Sequence, residues 1–159
     1  MKIIMDTADT TPPFVVRAEE DRFLSGLRFL NGRFHCKVSG RDTGGALCII
    51  DTFRTARGGP PLHLHNHQNE WFFVQEGEFR FQVGDQIHLL QAGDSIFGPQ
   101  GVPHAFVNIS ETGRLLIAFQ PAGTMEAFFA SGLLDPRSEE FRELSRLHGM
   151  DVVGPPLVP

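Results

Sequence analysis

Closely spaced glycine turns are the feature that most restricts how this chain can fold. Between residues 34 and 119 they separate short runs rich in β-branched and aromatic residues, which is typical of strands. A two-residue turn, Gly84-Asp85, predicts a β-hairpin. Many short strands at regular spacing predict an all-β sandwich or barrel. The predicted strands are Phe34–Val38, Leu47–Arg54, Glu70–Gln75, Phe79–Val83, Gln86–Leu90, Ser95–Gly98, His104–Asn108 and Leu115–Phe119.

The two ends of the chain have a different pattern. Residues 1–22 are predicted to form an N-terminal arm with an edge strand at Phe14–Val16, followed by a barrel over residues 23–122. After the barrel, Thr124 can cap a short helix over 125–131, and Asp135-Pro136 can open a second helix that Gly149 ends. Residues 123–159 are thus predicted to be one or two short helices and a tail, packed outside the barrel or closing its mouth.

Composition narrows the class of protein. The chain has 159 residues, the size of one domain, and its 41% hydrophobic and 21% charged content is typical of a globular protein. No apolar run approaches the roughly 20 residues of a spanning helix, and the start is too poor in apolar residues for a signal peptide. We therefore expect a cytoplasmic protein without membrane contact.

The net charge of −5 and the scattered basic residues argue against nucleic-acid binding. Cys36 and Cys48, in apolar stretches, are expected to be buried reduced thiols.

Histidines are concentrated in one part of the sequence. His63, His65 and His67 alternate, so they would share one face of a continuous strand, and Glu70 follows closely. Another histidine, His104, opens a later predicted strand. Two inward imidazoles and a carboxylate could converge inside a barrel. Such ligands suit Zn, Fe, Mn, Ni, Co or Cu.

The spacing of these residues resembles two motifs of the cupin family. The first motif, a His-x-His pair followed by Glu and Gly, matches His63, His65, Glu70 and Gly77. The second matches without a gap at Gly93, Pro99, Gly101, His104 and Asn108. The resemblance implies a single jelly-roll β-barrel. The flanking segments at residues 43–47 and 154–157 look like those of bacterial monocupins similar to quercetin dioxygenases, although Gln68-Asn69 stands where that subfamily usually has acidic residues.

The resemblance also implies a metal site. One divalent transition metal per chain (Fe, Mn, Ni, Co, Cu or Zn) would be bound by His63, His65, Glu70 and His104. Four ligands leave two positions of an octahedral metal open, and Glu70 could also act as the catalytic base. His67 and Asn108 are candidates for supporting these ligands without binding metal. Fifteen phenylalanines without a tyrosine suggest a lipophilic cavity; the candidate substrate-binding residues are Phe72, Phe81, Phe97 and Phe106.

Three functions fit such a site. The first is a dioxygenase that uses O₂ and a small aromatic, flavonol-like or enediol substrate. The second is a non-redox isomerase or cyclase of a natural-product pathway, in which the metal acts as a Lewis acid. The third is a module that binds a small ligand without turnover. A homodimer that pairs through the edge strand at Phe14–Val16 is expected by analogy with other cupins.

Overall fold

Strands make up most of the computed structural model, which describes residues 11–23 and 25–159. This part of the chain contains eleven strands, a 3-10 helix at Gly40–Thr43 and two α-helices, α1 (Met125–Phe129) and α2 (Glu139–Leu147). The strands are β1 (Leu27–Phe29), β2 (Gly32–Val38), β3 (Cys48–Arg54), β4 (Pro61–His65), β5 (Asn69–Glu76), β6 (Glu78–Val83), β7 (Gln86–Gln91), β8 (Ser95–Gly98), β9 (His104–Asn108), β10 (Gly113–Gln120) and β11 (Met150–Pro156).

The strands form two antiparallel sheets that face each other. One has the order β1-β2-β3-β10-β5-β8, and the other β11-β4-β9-β6-β7. Side chains alternate between the two faces of each strand: on β5, Phe72 and Val74 are buried, whereas Trp71 is 38% exposed. The predicted all-β barrel with short C-terminal helices is confirmed.

The core between the sheets is aromatic. Phe72 of one sheet packs against Phe81 and Phe106 of the other, with ring centroids 5.1 and 5.6 Å apart. A second aromatic group joins the helix α1 to the barrel. The ring centroid of Phe29 on β1 lies 4.9 Å from that of Phe128 and 5.3 Å from that of Phe129. Burying large rings is the main source of stability available to a domain of this size.

The predicted hairpin at Gly84-Asp85 is confirmed, since Val83 pairs with Gln86 across it. Gly84 has a φ of 60°. This left-handed conformation would cost an ordinary residue roughly 1–2 kcal/mol, which explains the glycine.

The N-terminal edge strand is not present in the single chain. Residues 14–16 have no ladder partner within the described ranges, and the Phe14 ring packs instead under the Arg22 guanidinium, 3.9 Å from its centroid. The first ten residues of the predicted arm lie outside the described residues.

The predicted C-terminal tail is also different in the structure. Residues 150–156 form β11, which pairs with β4 at the edge of the five-stranded sheet. Pro155 and Pro156 fit there because an edge strand has one side that needs no ladder bonds. Residues 150–156 are thus part of a sheet. The predicted boundaries of the barrel, after residues 22 and 122, stay predictions.

Both helices are shorter than predicted. The Thr124 side chain does not cap α1, because its Oγ1 bonds to Nδ1 of His148 at 2.7 Å. The second helix begins at Glu139 rather than at Pro136, since Ser138 is the residue whose hydroxyl accepts the N–H of Phe141 (3.1 Å). Neither helix of the described chain has the length and apolar character needed to cross a membrane.

Candidate metal centre

Three strands bring four side chains with metal-binding groups together. His63 and His65 lie on β4, and the Cα of His63 pairs with that of His104 on the neighbouring β9. Glu70 lies on β5 of the opposite sheet. Because both sheets turn alternate side chains inward, the four groups converge, and one ligand atom from each lies within 4.8 Å of all the others.

The carboxylate of Glu70 lies between two of the histidines. Its Oε2 is 2.7 Å from Nε2 of His104 and 2.9 Å from Nε2 of His65. The His63 ring completes the group, with its centroid 4.6 Å from that of His104. His65, Glu70 and His104 are buried, and His63 is partly buried.

Hydrogen bonds orient all three imidazole rings in the same way. Nδ1 of His63 lies 2.8 Å from the Pro61 carbonyl, and Nδ1 of His104 lies 3.1 Å from the Val102 carbonyl. A carbonyl only accepts, so both Nδ1 atoms carry hydrogen. For His65 the acceptor is Oε1 of Gln68 at 2.8 Å, because the amide nitrogen of Gln68 donates to the Pro121 carbonyl. With its Nδ1 hydrogen held in this way, each ring would offer Nε2 to a bound metal once Nε2 is free of hydrogen; without metal, Nε2 of His104 hydrogen-bonds to Oε2 of Glu70 at 2.7 Å.

This arrangement fits a divalent transition metal. The buried Nε2 of His65 has no partner with hydrogen-bond geometry in the described part of the chain. A buried nitrogen of this kind requires an explanation, and three imidazole nitrogens with one carboxylate oxygen form a common ligand set. Ordering of the ligand rings by Nδ1 hydrogen bonds is a regular property of metal-binding histidines.

The charges of the centre also favour metal binding. Burial alone would raise the pKa of Glu70, but His65 and His104 outweigh it and hold this pKa well below its usual range. Burial would likewise lower the pKa of His65, but Glu70 raises it above the ordinary value. In the metal-free protein, the Glu70 carboxylate therefore favours a proton on His65, whose positive charge takes the place of that of a bound cation.

The metal-free protein should lose stability relative to a His63→Gln variant as the pH falls. Burial, followed by the charges of His104 and His65, lowers the pKa of His63 from 6.5 to about 3. Below pH 6.5 the unfolded chain therefore binds a proton that the folded protein does not, which penalises folding. At 1.36 kcal/mol per unit of pH, the penalty can reach about 2 kcal/mol at pH 5.

Urea unfolding at pH 8 and pH 5, with chelator present, measures this difference. A His67→Gln variant is the matched control, because His67 is exposed. An equal stability difference between wild type and His63→Gln at the two pH values would show that His63 ionises alike in the folded and unfolded chains.

The centre opens onto a small, mostly apolar cavity of about 50 Å³. His63, His65 and Glu70 form part of its wall. Its other lining residues come mostly from β1, β2, β10 and the two helices, and include Phe29, Phe34, Phe119, Phe128, Phe129 and Phe141. Residues of both helices therefore form one side of the cavity wall, and whether the helices act as a lid stays a prediction.

The structure changes the predicted cavity wall. Of the four candidate phenylalanines only Phe106 lines the cavity. Phe72 and Phe81 are fully buried in the core, and the Phe72 ring lies behind His104 with centroids 5.7 Å apart. Phe97 lies on the outer face of β8 and is 53% exposed. Alternation along each strand puts these rings on definite faces, but the sequence does not show which face looks into the cavity.

The two residues expected to support the ligands have other positions. β4 ends at His65, so His67 falls in the following turn and is exposed. The supporting role predicted for His67 belongs instead to Gln68, which orients the His65 ring. Asn108 is buried, but its amide nitrogen donates to the carbonyls of Ala56, Ser110 and Glu111, and none of these is a ligand. It therefore fixes loops at the end of the barrel.

Cys36 and Cys48 are buried and free, as predicted. They lie near Glu126, close enough for the three to resemble a second ligand group. The Glu126 carboxylate already accepts hydrogen bonds from the Ser39 hydroxyl (2.8 Å) and the Gly40 N–H (2.9 Å). A hydrogen bond with Cys48, together with burial, raises the pKa of Cys36, so this thiol stays protonated. The cluster is explained by packing.

Fold and site together define a class: double-sheet β-barrels with a three-histidine, one-carboxylate centre between the sheets. The family model that describes the cupin domain matches residues 52–119, which include all four candidate ligands. This match identifies residues 52–119 as a cupin domain.

Individual relatives agree with this assignment. Quercetin 2,3-dioxygenase of Bacillus subtilis is 30% identical over 106 residues, which are 65% of this chain and 30% of that enzyme. An uncharacterized protein of Streptomyces coelicolor is 37% identical over 54 residues, 34% of this chain and 51% of the relative. The chain thus spans about half or less of the curated relatives it matches.

Solved structures share the fold. An RmlC-like cupin from Shewanella frigidimarina has 27% identity and a TM-score of 0.50, over 58% of this chain and 78% of that one. A variant of B. subtilis oxalate decarboxylase has a TM-score of 0.57 at 19% identity, over 75% of this chain and 33% of that one. At this identity the second likeness concerns the fold alone.

Proposed function

We propose that this cupin is a metal-dependent dioxygenase that acts on a small aromatic, flavonol-like or enediol substrate. The observation that carries the proposal is that three of the four candidate ligands, His63, His65 and Glu70, lie in the wall of a mostly apolar cavity. A metal held by His63, His65, Glu70 and His104 would supply positive charge for a substrate oxygen and a position for O₂. The 30% sequence identity with a quercetin 2,3-dioxygenase over 106 residues supports a reaction that uses O₂.

Glu70 is proposed as the base that takes the hydroxyl proton of the substrate. It faces the cavity and is ionised, since His65 and His104, at 2.9 and 2.7 Å, keep its pKa low. So weak a base would accept the proton only from a hydroxyl that a bound metal has made more acidic. Apolar residues of the wall, such as Phe106, Ile117 and Phe119, would keep water away from the deprotonated substrate. The chain's own residues thus bind, deprotonate and shield the substrate.

A Glu70→Gln variant should consume O₂ at least 100-fold more slowly than wild type with quercetin or a small enediol. The amide keeps the shape of the side chain but removes both the base and the charged candidate ligand, so the rates are compared per bound metal; positioned bases contribute roughly 10²–10⁴-fold to rate. An oxygen electrode and metal analysis of both proteins measure the effect. Glu78→Gln, at an exposed position on β6, is the matched control.

Substrate turnover without O₂ would instead support a non-redox isomerase or cyclase. Binding of such compounds with no turnover in air would support a ligand-binding module. A homodimer and a cytoplasmic location both stay predictions.

A further inference from the structure

Arg54 is a buried cation in the wall of the same cavity. It is the last residue of β3, its side chain is 1% exposed, and it lines the cavity together with His63 and Glu70. Within residues 11–23 and 25–159, no carboxylate lies within 4.0 Å of its guanidinium, and its Nε has no hydrogen-bond partner. An ionised group buried without a counter-charge is expensive, and one aimed into a cavity indicates an anionic ligand.

The surroundings of Arg54 hold the guanidinium in place without neutralising it. Its carbon Cζ lies 5.0 Å from the Phe106 ring centroid and 5.2 Å from that of Phe34. Such ring contacts favour a cation but leave its N–H groups free. Nη1 donates to Oδ1 of Asn31 at 2.9 Å, and Asn31 is itself held by the Ala56 carbonyl at 2.6 Å. Burial lowers the pKa of Arg54 to about 9, so the group remains charged at pH 7.

The backbone next to Arg54 is shaped to admit it. Gly32 on β2 is the Cα partner of Arg54, and a Cβ there would lie 3.0 Å from Nη1 of Arg54 and 3.0 Å from the Thr52 hydroxyl. Room for the head group of Arg54 thus depends on a glycine in the adjacent strand. The buried hydroxyl of Thr52 also has no hydrogen-bond partner among the described residues.

We propose that Arg54 binds a carboxylate group of the substrate, which makes small carboxylic acids the substrate class of this cavity. Nε and Nη2 form one edge of the guanidinium, and two parallel N–H groups match the two oxygens of a carboxylate. The inference rests on the proposed function only for the fate of the bound acid, since binding to Arg54 needs no metal.

The position of Arg54 relative to the metal centre limits the length of the substrate. His104 and Phe106 are two residues apart on β9, so their Cα atoms are about 7 Å apart. The Arg54 guanidinium lies over the Phe106 ring, with Cζ 5.0 Å from the ring centroid. A compact acid, with its carboxylate at Arg54 and a second oxygen facing His63 and His65, is therefore the ligand expected for this cavity.

Binding of 4-fluorobenzoate and its uncharged amide, 4-fluorobenzamide, measured by ¹⁹F NMR tests this assignment. Wild type should bind the acid 10- to 100-fold more tightly than the amide, since hydrogen bonds between charged groups are worth this much in a buried site. Arg54→Met should abolish the preference, and Arg54→Lys should keep part of it. Arg33→Met, which removes an exposed arginine of β2, should leave it unchanged.

Two further measurements separate this role from alternatives. If Arg54 serves only to hold Asn31, Arg54→Met should lose stability and the acid should bind no better than the amide. If Arg54 is a binding residue, wild type should prefer the acid and Arg54→Met should lose this preference whichever way its stability changes, because the substitution removes both a buried unpaired charge and the hydrogen bond to Asn31. His104→Ala should keep the preference for the acid even if it loses metal, so failure of the metal proposal is distinguishable. No preference in wild type, or an equal preference in Arg54→Met, overturns the assignment.

Discussion

Replacing His104 with alanine should remove the bound metal from a protein that still folds. The substitution deletes one of four ligands and leaves the Glu70 carboxylate with His65 as its remaining close imidazole. Loss of an outer partner of a metal ligand already costs 10- to 100-fold in metal affinity, so loss of a ligand should cost at least about 100-fold. Protein purified without chelator should hold about one equivalent in wild type and less than roughly a tenth in the variant.

Elemental analysis of the two proteins after dialysis measures this loss, and circular dichroism confirms the fold. His67→Ala is the matched control, because this exposed histidine lies in the turn directly after β4. Equal metal content in wild type and His104→Ala would contradict the four-ligand centre. The bound element also distinguishes the proposed functions. Fe, Mn, Ni, Co or Cu would support the dioxygenase, which oxygen consumption tests. Zn would support the non-redox isomerase or cyclase, which anaerobic assays test.

The convergence of the four candidate ligands could be predicted because it depends on short spacings. His63 and His65 must share a face of any strand that contains both, and the resemblance to the cupin motifs added Glu70 and His104. The spacing alone does not show that His104 lies next to the other histidines. The strand register does, because it pairs His63 with His104. The same reasoning failed for His67, since alternation holds only while the strand continues.

The cavity wall could not be predicted because it is built from segments far apart in sequence. Phe29, Phe128 and Phe141 reach it from β1, α1 and α2, which are joined only by the folded barrel. Arg54 was missed for a related reason. An arginine at the end of a predicted strand usually lies at the surface, and nothing local indicates that Gly32 makes room for it inside. Gln68 follows the motif histidines, but its role depends on the Pro121 carbonyl, which is remote in sequence.

Replacing Phe72 with alanine should destabilise the protein by about 3–5 kcal/mol, because a fully buried ring leaves a cavity that its neighbours cannot fill. Phe72 is 1% exposed and contacts Phe81, Phe106 and His104. As a wall residue of the substrate site it would instead change ligand affinity with a smaller loss of stability. Urea unfolding of the metal-free proteins measures the loss.

Two variants make this assignment of Phe72 to the core decisive. Phe97→Ala removes an exposed ring and should change stability by less than about 0.5 kcal/mol. Phe72→Leu keeps most of the volume, should cost roughly 1–1.5 kcal/mol, and should leave 4-fluorobenzoate affinity within about twofold of wild type. Phe72 packs against the candidate ligand His104 and does not line the cavity. Its substitution should therefore change the packing around His104 rather than the substrate site. A tenfold change in 4-fluorobenzoate affinity in the folded Phe72→Leu protein would return this ring to the substrate site.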